Sequence, residues 1–499
     1  MSNLHDKLSI ITESLQFFLP EIAIVIAIIV VLIAGLFKSG KLEGFYRAIS
    51  LLALVGIALL LINQWHYWND AESGLPLFNN MLRLDAAAVF WKIIFVSGAI
   101  FTVLMGYYNQ HLKDKSSEYY VLIFSILLGA NVLVMAHNLL TIYLAIELLS
   151  ISAYILTAFS FNSASKEAAI KYLLFGAAAS GVMLYGMSWI YAMTGTLSFD
   201  NMQFVEKLLM AHSLPFTIAT VLTLAGLLYK ISAAPMHIWA PDVYTAAPTP
   251  IAAYFSIVPK LAGMGILMKW IMSIQLFGNA PVSWIAILSV IAMLTITIGN
   301  FSALWQNNVK RILAYSSIAH SGFLLIGLVA FSETAYRAIL FYSFVYLLMN
   351  MAAFLFINEA ERKLGYTKLE DYKGMVNSHP AFAIAMVIVM ISLTGLPPTV
   401  GFTGKFLLFS SLWESYSHSG NDWAFYLLIF GLLNTVISLF YYLKLPYFII
   451  FKKSEIQKEG QLIFSLQNFL GFFLVVALLL LFFKPDSLMR IINSVSFAF

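Results

Sequence analysis

The chain has 499 residues; 61% are hydrophobic, 10% are charged, and the net charge is +4 at neutral pH. A soluble globular protein carries about 25% charged residues, so this composition, with a mean hydropathy of +0.87, describes a polytopic membrane protein, and the small net charge gives no support to nucleic-acid binding. No cysteine occurs, which excludes thiolate-ligated iron–sulfur clusters, cysteine nucleophiles and disulfides from this chain.

Apolar runs long enough to span a bilayer, about 20 residues each, fall near 16–37, 47–64, 84–108, 119–136, 138–160, 168–194 and 214–239. They continue near 251–274, 282–300, 307–330, 335–358, 380–414, 424–447 and 462–483. The first follows acidic Glu13 and Glu21 and shows no small-residue cleavage pattern, so it reads as a retained helix rather than a signal peptide. The fold class expected is an all-α polytopic membrane protein of about 14 transmembrane helices, the seventh and twelfth interrupted by proline.

Alternating the loops places seventeen Lys and Arg on one side, among them Lys38, Lys41, Lys113, Lys310, Arg311 and Lys458, and six on the other. By the positive-inside rule both termini are then non-cytoplasmic. Five basic residues remain within spans: Lys92, Lys230, Lys260, Lys269 and Lys405. Lys92, two turns into its helix, and Lys269, near a helix end beside Trp270, read as snorkelling to an interface. Lys230, Lys260 and Lys405 are too deep for that, and Glu147 reads as the one carboxylate at matching depth. At 1.5 Å per residue, Glu147 lies roughly 13 Å, Lys260 roughly 14 Å and His320 about 20 Å from a helix end, so these groups can share one layer near the midplane. Intramembrane charges are expensive and functional by default.

Between Leu228 and Gly265 five prolines, Pro235, Pro241, Pro248, Pro250 and Pro259, accompany Lys230 and Lys260. The break is expected at Pro235, and irregular, water-accessible backbone is expected beside Lys260 after Pro259. The second break, ISLTGLPPTVGFTGKFLLF, holds Pro397 and Pro398 around Lys405. Lys230 precedes its break and Lys405 follows its own, which is what an inverted repeat with broken helices leaves in a sequence. The expected organisation is an N-terminal three-helix segment (1–115), two inverted five-helix repeats (119–274 and 282–447), and a C-terminal helix and tail (448–499). Glu167 and Lys171 read as a surface pair, His137 as interfacial, Gly226, Gly263 and Gly265 as close-packing positions, and Glu359–Lys373 as a solvated loop.

The run PMHIWAPDVYTAAPTPIAAYFSIVPKLAG (235–263) resembles the antiporter-like membrane subunits of respiratory complex I, and its VPKLAG variant resembles subunit N, called subunit 2 in mitochondria. EAAIKYLLFGAAASGVMLYG (167–186), NVKRILAYSSIAHSG (308–322) and LTGLPPTVGFTGKFLLF (393–409) follow in the same order. The resemblance covers about 84–450 and implies a proton channel in a bacterial inner membrane, one subunit of an NADH-quinone oxidoreductase translocase. It implies that the Glu147–Lys230 pair modulates charge, Lys260 carries the proton centrally, Lys405 stands on the exit side, and His237 and His320 act as relays. It also implies no cofactor in this chain: NADH, FMN, iron–sulfur clusters and quinone belong to partner subunits, with membrane lipid as the remaining contact. A subunit of a multisubunit sodium/proton antiporter or of a membrane-bound hydrogenase is the alternative, disfavoured by VPKLAG. A haem or quinone redox enzyme would need paired histidines on facing spans, and only His137, His237 and His320 lie in or near spans.

Overall fold

The computed structural model describes residues 2–37, 43–68, 74–106, 115–199, 204, 206–207, 213–275, 283–453 and 465–497. Lys38, Lys41, Lys113 and Lys458, counted in the loop charge bias, lie outside the described residues. Among the described residues, 12 helices are long and apolar enough to cross a membrane, and two shorter apolar helices accompany them.

Helix α1 (Ser2–Gln16) leads into α2 (Leu19–Leu36) and α3 (Glu43–Trp68). An antiparallel hairpin, β1 (Leu75–Leu77) and β2 (Leu82–Leu84), precedes α4 (Ala86–Gly106). Next come α5 (Ser116–Met135), α6 (Leu139–Thr157), α7 (Ser163–Thr194), α8 (Ser213–Lys230), α9 (Trp239–Ala246) and α10 (Thr249–Gln275). Then follow α11 (Trp284–Leu304), α12 (Val309–Ala330), α13 (Glu333–Leu364), α14 (Met375–Ser378), α15 (Pro380–Thr394), α16 (Val400–Ser419) and α17 (Asp422–Ile450). The chain closes with α18 (Leu466–Phe483) and α19 (Asp486–Asn493).

Side-chain caps keep several turns tight. Asn138 accepts from Leu140 N at the start of α6, Asn162 from Ser165 N at α7, and Asn308 from Arg311 N at α12. The apolar stretch of α10 is wholly buried, and those of α12 and α13 nearly so, whereas only a minority of the residues in α2, α3, α17 and α18 are buried. The centre of the bundle is therefore α10, α12 and α13, and this is where the deep polar residues converge.

Both interruptions are present, and in each the freed backbone groups find partners. After α8, Ala234 N donates to Thr295 Oγ1 (2.9 Å), Ile231 O accepts from Ser321 Oγ (2.6 Å) and Tyr229 O accepts from Trp239 Nε1 (3.1 Å). Non-helical backbone at such depth is tolerated only when its polar groups are answered from inside the protein. Pro259 behaves differently from Pro235. α10 runs unbroken through it, so the irregular backbone expected beside Lys260 is not there; packed on every side, the helix keeps its path around one missing donor.

Lys92 and Lys269 do not snorkel. Lys92 Nζ lies 2.9 Å from Glu21 Oε1, with both side chains fully buried, and Lys269 Nζ lies 2.6 Å from Asp85 Oδ2. An ammonium in an apolar bundle is held by a carboxylate when packing brings one within reach, and here α2 and the residue before α4 do so. Glu147 is thus not the one carboxylate drawn into the bundle, since Glu21, in the first turn of α2, is fully buried. Glu359, expected in a solvated loop, is buried near the end of α13, where Arg362 (2.7 Å) and Lys363 (3.0 Å) one turn later clamp it.

Candidate functional site: a buried polar row

The row begins on α6. Glu147 is half-buried, with Oε1 out of solvent and without a hydrogen-bond partner among the described residues. One turn later Ser150 accepts from Lys230 Nζ at 2.9 Å. Lys230 is the last residue of α8, so the lysine stands at the break, and Glu147 stays within its electrostatic reach without forming the direct contact. Lys171 meets Glu167 (2.8 Å) on the surface, and both Lys171 (3.4 Å) and Arg311 (2.9 Å) reach Asp242 on α9.

α12 carries the centre through SSIAHS (316–321), whose polar side chains fall on two adjoining faces of one turn. Ser317 accepts from Lys260 Nζ, and Ser321 Oγ donates to Ile231 O, the carbonyl just after Lys230. Lys260 lies on α10 one turn before Gly263, where a Cβ would sit 2.9 Å from Ile231 Cγ2. That close approach of α10 to the break sets Lys230 and Lys260 on either side of Ser317 and Ser321. The Lys260 ammonium also stands 5.5 Å from the Tyr244 ring centroid. His237, in the break itself, is half-buried beside the Pro235 backbone, and Lys260 lies within its electrostatic reach.

On the other face His320 is bonded at both ring nitrogens, Nδ1 to Tyr342 Oη (2.6 Å) and Nε2 to Tyr442 Oη (3.0 Å). Tyr442 Oη also meets Ser316 Oγ at 2.5 Å, and Tyr441 Oη donates to Asn300 Oδ1 at 3.2 Å. Lys260 and Lys405 both act electrostatically on His320. Lys405 folds back over the second break, donating to Thr394 O (2.6 Å) and Leu393 O (3.4 Å), with Nζ 4.5 Å from the Phe323 ring centroid. Those carbonyls are the C-terminal end of α15, the negative pole of a helix, which favours a cation. Gly395, at φ 85°, leaves the room: a Cβ there would lie 2.7 Å from Lys405 Cδ.

The family described as NADH:quinone oxidoreductase/Mrp antiporter, TM, matches residues 136–441. The chain belongs to this family. Subunit N 2 of the NADH-quinone oxidoreductase of Sorangium cellulosum is 38% identical over 87% of each chain. Subunit N of Chlorobium chlorochromatii is 38% identical over 87% of this chain and 84% of its own. Among solved structures, a chain of respiratory complex I from Thermus thermophilus with bound aureothin superimposes with a TM-score of 0.79 at 25% identity, covering 95% of this chain and all of that one.

The hydrogen-bonded members between the residues singled out from the sequence were not themselves singled out. Ser150, Ser316, Ser317, Ser321, Tyr342 and Tyr442 were missed. The signal for α12 was the polar cluster SSIAHS in an apolar helix; for Ser150 it was the position one turn after Glu147. Tyr342 and Tyr442 had none, because a tyrosine in a membrane helix looks like any other aromatic. Among the described residues no three His, Asp or Glu side chains converge to hold a metal ion.

Proposed function

We propose that this chain is the proton-translocating subunit N of a bacterial NADH-quinone oxidoreductase, and that it works as one membrane subunit of the assembled respiratory complex. NADH oxidation, FMN, iron–sulfur clusters and quinone reduction belong to its partners, and this chain moves protons. The observation that carries the reading is the row itself. Lys230 Nζ donates to Ser150 Oγ, Ser321 Oγ donates to the Ile231 and Ser317 carbonyls, and Lys260 Nζ donates to Ser317 Oγ, linking α6, α8, α12 and α10, while Lys260 and Lys405 both act electrostatically on His320. Glu147 opens this order and Lys405 closes it at the second break. A desolvated lysine can bind and release a proton, and hydroxyls between such groups can pass it on. Movement of Glu147 relative to Lys230 changes the proton affinity of the row, which couples it to distant chemistry.

The finer architecture fits the same reading. Counting α8–α9 and α15–α16 each as one broken span adds two crossings to the 12 and gives fourteen. α5–α10 and α11–α17 then form two five-span repeats, each with its broken span fourth, which supports the inverted arrangement. An even number of spans and the loop charge bias support non-cytoplasmic termini in the inner membrane. The test is purification of the whole complex with Lys260→Met and measurement of NADH-driven proton uptake into vesicles. Retained NADH oxidation with lost uptake supports the reading, and uptake at the parental rate refutes it.

A further inference from the structure

A second group of buried charges lies outside the row, at the end of the bundle that carries the β-hairpin. Glu21 on α2 and Lys92 on α4 are fully buried and 2.9 Å apart. Asn131 on α5, also fully buried, donates to Glu21 Oε1 at 3.2 Å. Around this one pair Glu21 Oε2 and Asn131 Oδ1 have no hydrogen-bond partner among the described residues. Leaving a buried polar atom unpaired costs about 1–3 kcal/mol, so two such acceptors beside one ion pair call for water, which satisfies such groups with two to four bonds each.

The group does not end there. Asp85 caps α4, accepting from Ala88 N at 2.6 Å, and stands seven residues before Lys92, two turns along the same face. Asp85 is bound by Lys269 at 2.6 Å, and both act electrostatically on Lys92. The Lys269 side chain keeps 9% of its surface and Asp85 4%, so this second pair is buried as well and exposure rises only slightly from the sealed pair towards it.

A static clamp fastening α2 to the bundle is the competing explanation. A buried ion pair is weak as a stabiliser and is often replaceable by apolar residues of like volume. A clamp also has no use for unpaired acceptors beside it.

We propose that Glu21, Lys92 and Asn131 enclose water and form a second proton-exchanging site, linked towards the hairpin end to the Asp85–Lys269 pair. The inference rests on the proton-translocating reading above. The Glu21 carboxylate takes one proton from a hydronium in the enclosed water and becomes a neutral carboxyl beside the Lys92 ammonium. It gives that proton back through water to the Asp85 carboxylate, and nothing else changes bonds.

The test uses the whole complex. A density map that resolves water should show it within hydrogen-bond distance of Glu21 Oε2 and Asn131 Oδ1; a dry pair overturns the proposal. In vesicles, the double variant Glu21→Leu/Lys92→Met removes both charges together. It should assemble, oxidise NADH and lose protons moved per NADH, towards the level of Lys260→Met. A parental ratio in the double variant, with Lys260→Met impaired, overturns the second site and leaves the midplane row standing. A parental ratio in both overturns the translocation reading itself. Should the double variant fail to assemble, the shape-conserving Glu21→Gln decides by the same ratio.

Discussion

Lys230 Nζ donates to Ser150 Oγ at 2.9 Å, and Glu147, one turn away on the same helix, stays near without touching it. The serine holds the lysine at the helix break, and Glu147 Oε1 has no hydrogen-bond partner among the described residues. A direct, fully bonded pair would be harder to switch.

Ser150→Ala should therefore leave assembly intact while lowering proton uptake, because Lys230 then settles on Glu147. Glu147→Ala should lower uptake further, and Glu147→Asp less, since a carboxylate remains. Removing the carboxylate beside buried Lys230 also takes away part of what offsets burial of that charge, so uptake must be normalised to assembled complex. Parental uptake in Glu147→Ala would assign the pair to packing alone.

At Lys260 the decisive comparison is arginine against methionine. Arginine preserves the charge but does not release its proton in proteins, whereas methionine removes the charge altogether. Both variants should assemble and both should lose most proton transfer. Vesicle uptake driven by NADH measures it, and full pumping in Lys260→Arg would limit the lysine to setting the local potential.

His320 is held by two tyrosine hydroxyls, and the two should not be equivalent. Tyr442 also reaches Ser316 at 2.5 Å, so Tyr442→Phe interrupts two bonds, whereas Tyr342→Phe interrupts the one to Nδ1. Each lost bond to a buried group costs about 1–3 kcal/mol. Uptake should fall more in Tyr442→Phe than in Tyr342→Phe, and equal, parental rates would remove the tyrosines from the row.

His137, in the turn between α5 and α6, concerns acid stability. Burial, reinforced by the nearby Lys269 charge, pushes its pKa down to about 3. The neutral ring donates from Nδ1 to Met135 O at 3.3 Å and stacks on Phe199. Unfolded, the same ring takes up a proton near pH 6.5, so the unfolded state binds more protons below that pH and stability falls as pH drops from 6.5 towards 3. At pH 5 the loss is about 2 kcal/mol. His137→Phe should reduce the difference in thermal stability between pH 7.5 and pH 5, and an unchanged difference would place the acid sensitivity elsewhere.

The sequence alone determined the membrane class and the two interrupted helices, and it singled out Lys230, Lys260, His320 and Lys405, all four buried, together with half-buried Glu147. Each of these follows from local rules: length of an apolar run, proline's missing donor, and the rarity of charge in hydrocarbon. Partners are not local. Lys92 and Lys269 looked like chains bent to an interface until α2 brought Glu21, and the hairpin brought Asp85, from 71 and 184 positions away. Pro259 looked like Pro235, yet one lies in an unbroken helix and the other in a break, because surrounding contacts decide whether a missing donor is tolerated. The hydroxyls of Ser150, Ser317 and Tyr442 were invisible for the same reason. A serine or tyrosine in an apolar run is silent until packing of other helices sets a charged or titratable group against it.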